Sequence, residues 1–351
     1  MTSGRNSFLI SVIAAILTSA CVTTQPDNVS STNLDLPPKS QFWRAPTDRR
    51  ACRGPAQVDA LPLQHSTQGW RPGNQAVAFI DLIGVYLAGA LSNEDFAKAQ
   101  FANEIVRAAD ASAFTAADFD RPRGPSPTFM QSMVLISLSY ALSYLDQESL
   151  LNESDRQKVI QWGNTIYAST SQRSSTRTLD HIAADAAAGM AWGAVTSQNK
   201  IFRAGLSEFH DVAGRMGRHG QIESNPRDNN EDIQFLVLAA EAATRNGIRA
   251  YEFSYQGRTL HDAVRWHAEN TLKVGHQSYY EPTVGYSDPY FRGHGFVAHI
   301  AWVPIYLSRF HDHLIASTLR EMLSRVGDSI SGTSMGGPTE CLWGWNRQPK
   351  P

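Results

Sequence analysis

From Ala76 to Val326, apolar residues return at steps of three and four in ten successive windows. These are Ala76–Leu91, Asn93–Ala109, Phe129–Leu145, Glu153–Ser169, Leu179–Thr196, Ile201–Met216, Glu231–Asn246, Thr259–Val274, Gly295–Phe310 and His313–Val326. That period belongs to α-helices with a buried face, and short Gly, Pro, Asn or Ser breaks join the windows in pairs. Only Gln277–Tyr280 offers a short strand-like piece. About ten helices in antiparallel hairpins predict an all-α fold, an αα toroid or incomplete barrel whose inner helices line a cleft and whose outer helices cover them. A helical-repeat solenoid would need a repeated unit of fixed length, and none is visible.

The N-terminal residues read as targeting and tether. Arg5 precedes the apolar run Phe8–Leu17, too short to span a bilayer but the size of a signal-peptide core, and Thr18-Ser19-Ala20 lead into Cys21. This resembles a bacterial lipoprotein box with the leucine displaced by one position, so residues 1–21 read either as a lipoprotein signal with acylation at Cys21 or as an ordinary cleaved signal. Both imply export, with a periplasmic or outer-membrane lipoprotein location expected. Residues 22–48, rich in Thr, Ser, Asn, Asp and Pro, read as a disordered tether, and residues 49–351 as a single helical domain opening with irregular surface chain to about Asn74. Besides Cys21 the chain has Cys52 and Cys341. In an oxidising compartment they make either a disulfide joining the two ends of the domain or two buried thiols.

Within the helical series the stretch Thr176–Val195 is the leading candidate for a catalytic wall. Asp180 and His181 open a helix that continues through Ala183, Ala184, Ala186, Ala187, Ala188 and Gly189. Little side-chain bulk lets such a helix be packed closely on several sides. Thr178 is placed to cap the helix with its hydroxyl. Asp180 and His181 then fall in the first turn, where the helix dipole favours a neutral histidine able to act as a base. A buried helix with a merely hydrogen-bonded His181 is the alternative.

Two polar concentrations accompany it. Arg215–Gly220 runs into Gln221–Asp232, which is either a solvated loop with Asp228 or Asn229 as helix N-cap, or a cleft rim with Arg227 forked onto a carboxylate. Gln277–Gly295 holds Tyr279, Tyr280, Tyr286 and Tyr290 with Arg292 and His294. Sugar rings stack on such a surface, while phenol and guanidinium groups bind hydroxyls and carboxylates. A net charge of −2 with 18% charged residues excludes a general nucleic-acid binder. No metal-ligand spacing is present, so neither metal nor cofactor is expected.

Several pieces resemble the alginate lyase family, periplasmic poly-mannuronate lyases with an αα-toroid fold. Ser175–His181, followed by the small-residue helix with Trp192, resembles the family's Asn-Asn-His motif. Gln234–Ala243 with Asn246-Gly247 is similar to its later core helix. Pro304–Phe310 resembles its Pro-x-Tyr-x-x-Arg-Phe segment, and Met335–Thr339 its C-terminal Leu-Gly-Gly-Asp-Pro-Thr. The resemblance implies β-elimination on a uronic-acid polymer by a monomer. His181 matches the family histidine, as base or carboxylate stabiliser, and Arg227 is the nearest candidate for its arginine. Asp180 stands where the family has an asparagine, and no tyrosine precedes the Gln234 helix. Tyr286 is taken as the catalytic tyrosine, with Asp180, Arg177, Asn229, Tyr279, Tyr290, Arg292 and His294 as substrate-binding candidates. Two other functions remain open: a glycoside hydrolase on the same toroid using Asp180 with Asp228 or Asp232, and a non-catalytic exopolysaccharide-binding lipoprotein.

Overall fold

The computed structural model describes residues 36–37, 40–63, 75–115, 127–171, 177–223, 226–280, 299–324 and 330–346. Eleven α-helices are formed among them: α1 (Gln75–Ser92), α2 (Lys98–Asp110), α3 (Pro127–Gln147), α4 (Glu153–Ser171), α5 (Leu179–Val195), α6 (Asn199–Ala213), α7 (Pro226–Arg245), α8 (Leu260–Tyr280), α9 (Trp302–Arg309), α10 (Ala316–Ser324) and α11 (Thr339–Leu342). The described residues hold no strand, only two isolated bridges. The piece Gln277–Tyr280, expected to have strand character, is the last turn of α8.

The helices form two layers. α1, α3, α5, α7 and α9 touch one another in turn, while α2 and α4 pack side by side outside them and α6 and α8 cover α5 and α7. The sequence distinguishes the layers: α3 is apolar or small on almost every face and buried nearly throughout, whereas α2 and α6 carry one apolar stripe. This is the expected αα toroid. The alanines of α5 act as predicted, because every residue from Ala183 to Val195 is buried. Its crossing with α6 is close enough that a Cβ on Gly193 would lie 2.5 Å from the Phe202 nitrogen, and one on Gly205 2.7 Å from that of Met190.

Phe42 and Trp43, inside the expected disordered stretch, are buried. Phe42 meets the Tyr140 ring edge-on at 4.8 Å, and the Trp43 indole donates to the Leu342 carbonyl at 2.6 Å. Two aromatics provide enough apolar surface to order an otherwise polar, proline-rich segment. This strap is fixed covalently as well, by a Cys52–Cys341 disulfide spanning 289 residues. Beside it, the turn Gly332–Gly337 crosses α1, α3 and α7: Thr333 Oγ1 donates to Asp81 Oδ1 (2.7 Å) and Ser334 Oγ to Gln234 Oε1 (3.0 Å). Gly336, at φ +81°, lies against the Tyr140 ring, where a Cβ would come within 2.7 Å of it.

Candidate active site

The N-terminal turns of the inner helices α3 and α5 meet beside the third turn of α7. His181, in the first turn of α5, stacks on Phe129 of α3 with ring centroids 4.7 Å apart. Phe129 meets Phe235 of α7 edge-on at 5.8 Å. Asp180 Oδ2 lies 4.0 Å from His181 Nε2, and the two side chains keep 19% and 21% of their surface exposed. The pair therefore sits at a mouth rather than in a dry core. Thr178 occupies the N-cap position, but its hydroxyl makes no capping bond, contrary to expectation.

One turn deeper on the same stripe of α5, Asp185 is buried and accepts from Ser132 Oγ and from Arg177 Nη1 at 2.8 Å. Arg177 also reaches Glu208 Oε1 of α6 at 3.3 Å. Expected as a substrate ligand, Arg177 is thus held by two carboxylates and ties the entry of α5 to both layers.

α7 begins at Pro226, five residues before the expected start. The polar run Asp228–Asp232 is therefore helical, and neither Asp228 nor Asn229 is the N-cap. Asn229, expected to touch substrate, is buried, and its Oδ1 accepts from the Ile222 (2.7 Å) and Glu223 (3.2 Å) amides. It anchors the preceding turn instead, because a buried backbone donor needs an acceptor. Asn230 does the same on the other side: its Nδ2 donates to the His299 carbonyl (2.7 Å) and its Oδ1 accepts from the Trp302 indole (2.8 Å). A sequence of polar residues can enter a helix in this way when their amides replace solvent for neighbouring backbone.

Asp232 is different. It is fully buried, and neither carboxylate oxygen has a hydrogen-bond partner among the described residues. Burial, reinforced by the negative charge of Asp180, Glu223, Glu231 and Asp228, pushes its acid up to about 9. Nearby, Glu231 Oε1 lies 4.0 Å from His299 Nδ1. His267 of α8, 3.4 Å from Asn229 Nδ2, is pushed down to about 3 by burial and by His299, so it is a neutral structural ring at ordinary pH.

Of the other sequence candidates, Arg227 lies in the first turn of α7 and Tyr279 in the last turn of α8, but both side chains fall outside the described residues. Tyr286, Tyr290, Arg292 and His294 lie outside them altogether. Phe129, Ser132 and Asp185 were missed. Asp185 had a signal: it is the one acidic residue in an alanine run, one helical turn after His181. Among the described residues no group of three or more His, Cys, Asp or Glu side chains is arranged to hold a metal ion. The mouth offers a base at His181 beside the carboxyl of Asp180, and α7 adds the buried, protonated acid of Asp232.

Residues 100–277 match the family model described as alginate lyase. No curated protein sequence matches the chain. The fold is similar to that of alginate lyase A1-III from Sphingomonas species A1, with TM-score 0.61 and 16% identity over 87% of this chain and 89% of that one. It is also similar to a histidine-to-alanine variant of alginate lyase A1-III complexed with tetrasaccharide (TM-score 0.60, 17% identity, 85% and 89% covered). A tyrosine-to-phenylalanine variant complexed with tetrasaccharide gives TM-score 0.60 and 18% identity, with 93% and 92% covered.

Proposed function

The chain belongs to the alginate lyase family, and from that premise we propose that it depolymerises a uronic-acid polymer of the poly-mannuronate kind by β-elimination, with His181 as the base. The observation that carries this reading is His181 itself, half-buried at the head of an inner helix, backed by Phe129 and flanked by Asp180. β-Elimination needs the C6 carboxylate held or neutralised, the C5 proton removed and the departing O4 protonated. His181 removes the C5 proton, and Phe129 fixes the plane of its ring. Arg227, Arg292 and His294 are the cationic groups assigned to the C6 carboxylate, Tyr286 is the phenol assigned to the departing O4, and Tyr279 and Tyr290 are the phenols assigned to the sugar rings. Incubation with poly-mannuronate should release a product with the ultraviolet absorbance of an unsaturated uronate, and His181→Ala should abolish it. Persistence of that absorbance in the variant would reject His181 as the base.

A second reading is favoured by one observation, the pairing of Asp180 with the neutral Asp232, since glycoside hydrolases use one charged and one protonated carboxyl. Reducing ends released without ultraviolet absorbance would select it. Binding without either product would select the exopolysaccharide-binding lipoprotein.

The proposed location is the periplasm, as a monomer exported by residues 1–21 and anchored by a lipid if Cys21 is acylated. The Cys52–Cys341 disulfide supports an oxidising compartment. Mass spectrometry of the mature N-terminus tests the anchor, and an unmodified residue after Cys21 would reject it.

A further inference from the structure

Asp232 is a buried acid that the elimination scheme above leaves unused. Asp228, Asp232 and Phe235 follow one stripe of α7 at helical spacing, and Phe235 contacts Phe129, which in turn backs His181. The face of α7 that carries Asp232 is therefore the face turned towards the head of α5. Native structures pair nearly all their buried polar atoms, so a carboxyl with two unpartnered oxygens needs a reason other than stability. Among the described residues, the charged groups that act on it most are acidic: Asp180 from α5, Glu223 from the preceding turn, and Asp228 and Glu231 from its own helix. Such surroundings keep the proton on Asp232. The chain also lacks a tyrosine in the residues leading into Gln234.

We propose that Asp232, in place of Tyr286, is the general acid of the elimination, giving its O–H proton to the glycosidic O4 as it leaves. The role rests on the lyase reading. His181 takes the C5 proton, and the C5–H electron pair becomes the C4=C5 double bond. The C4–O4 bond breaks with its electrons going to oxygen, and that oxygen receives the Asp232 proton. The enzyme is left with imidazolium and carboxylate. Loss of one proton from His181 to solvent and uptake of one by Asp232 restore both, so no other reactant is needed.

The test compares the full-length wild type with Asp232→Asn and Asp232→Glu on two substrates. One is poly-mannuronate and the other a uronide bearing nitrophenolate at C4, whose departure needs no proton. Asp232→Asn should lower kcat on the polymer about 100-fold or more, within the range for a lost general acid, while turning over the aryl substrate as the wild type does. Asp232→Glu should recover part of the loss. Wild-type kcat on the polymer should fall as pH rises through about 9, and the residual rate of Asp232→Asn should not. Equal losses on both substrates, or no loss on either, would overturn the role of Asp232 while leaving the lyase reading intact. Absence of unsaturated product from the wild type would overturn both. Should Asp232→Asn not fold, the wild-type profile still decides, since a rate that holds steady through that pH range overturns the proposal.

Discussion

α7 buries an acid near each end, and the two are treated in opposite ways. Glu241, near the C-terminal end, receives Arg309 Nε at 2.6 Å and Nη2 at 2.8 Å, and the Tyr251 hydroxyl at 3.1 Å. Arg245, one turn on, lies 5.0 Å from the centroid of the Trp343 ring. Asp232, nine residues earlier, receives no hydrogen bond from any described residue. Burial by itself therefore says little about an acid's role. Glu241 is ion-paired with Arg309 and enclosed by donors, which is how a fold stabilises a buried carboxylate. Asp232 keeps its proton because no donor is offered, which is how a site stores one.

This contrast can be broken experimentally, and we expect the following in order of size. His181→Ala should lower turnover on poly-mannuronate by about 10³-fold, the middle of the general-base range, with an unchanged urea midpoint; a loss of stability instead would make the α5 head a structural cap. Glu241→Gln should cost about 3 kcal/mol in urea unfolding, because two arginines lose their counter-charge, with turnover per folded molecule unchanged. A loss of turnover in the folded variant would remove the division between the two ends. Asp232 sets a pH dependence of opposite sign to that of a salt-bridged acid. Its folded value is raised from 3.8 to about 9, so above pH 4 the native state holds a proton that the unfolded chain releases. Stability should thus fall as pH rises from about 4 towards 9, by up to about 1 kcal/mol per unit, and Asp232→Asn should lack this slope in denaturation series at several pH values. Identical slopes would mean that Asp232 ionises in the folded protein. Thr178→Ala should change stability by less than about 0.5 kcal/mol, against about 1 for a working cap, because its hydroxyl makes no capping bond.

The layered helical fold was legible because periodicity reports burial directly, and the outer helices show it as single stripes. The start of α7 was not, since Pro226–Asn230 looks like a loop until Asn229 and Asn230 are seen capping neighbouring backbone across the chain. Phe42 and Trp43 were hidden for a similar reason: their partners, Tyr140 and Leu342, are distant in sequence. In the site, His181 was legible from the helix-start pattern and the family resemblance. Phe129 was not, because its role depends on how α3 and α5 stand side by side. Asp232 was read only as one member of a hydrolase pair. Its missing donors are a property of the packed ring and have no trace in sequence.

The disulfide has a consequence for biogenesis. Synthesis is vectorial, and Cys52 and Cys341 are 289 residues apart, so the strap waits with an unpaired thiol while every long helix is made. Covalent closure can occur only once Cys341 has been made, which places the bond after synthesis of every long helix. By the loop-closure model a loop of 289 residues removes about 6 kcal/mol of freedom from the unfolded chain, so oxidation stabilises the ring by restricting its open form.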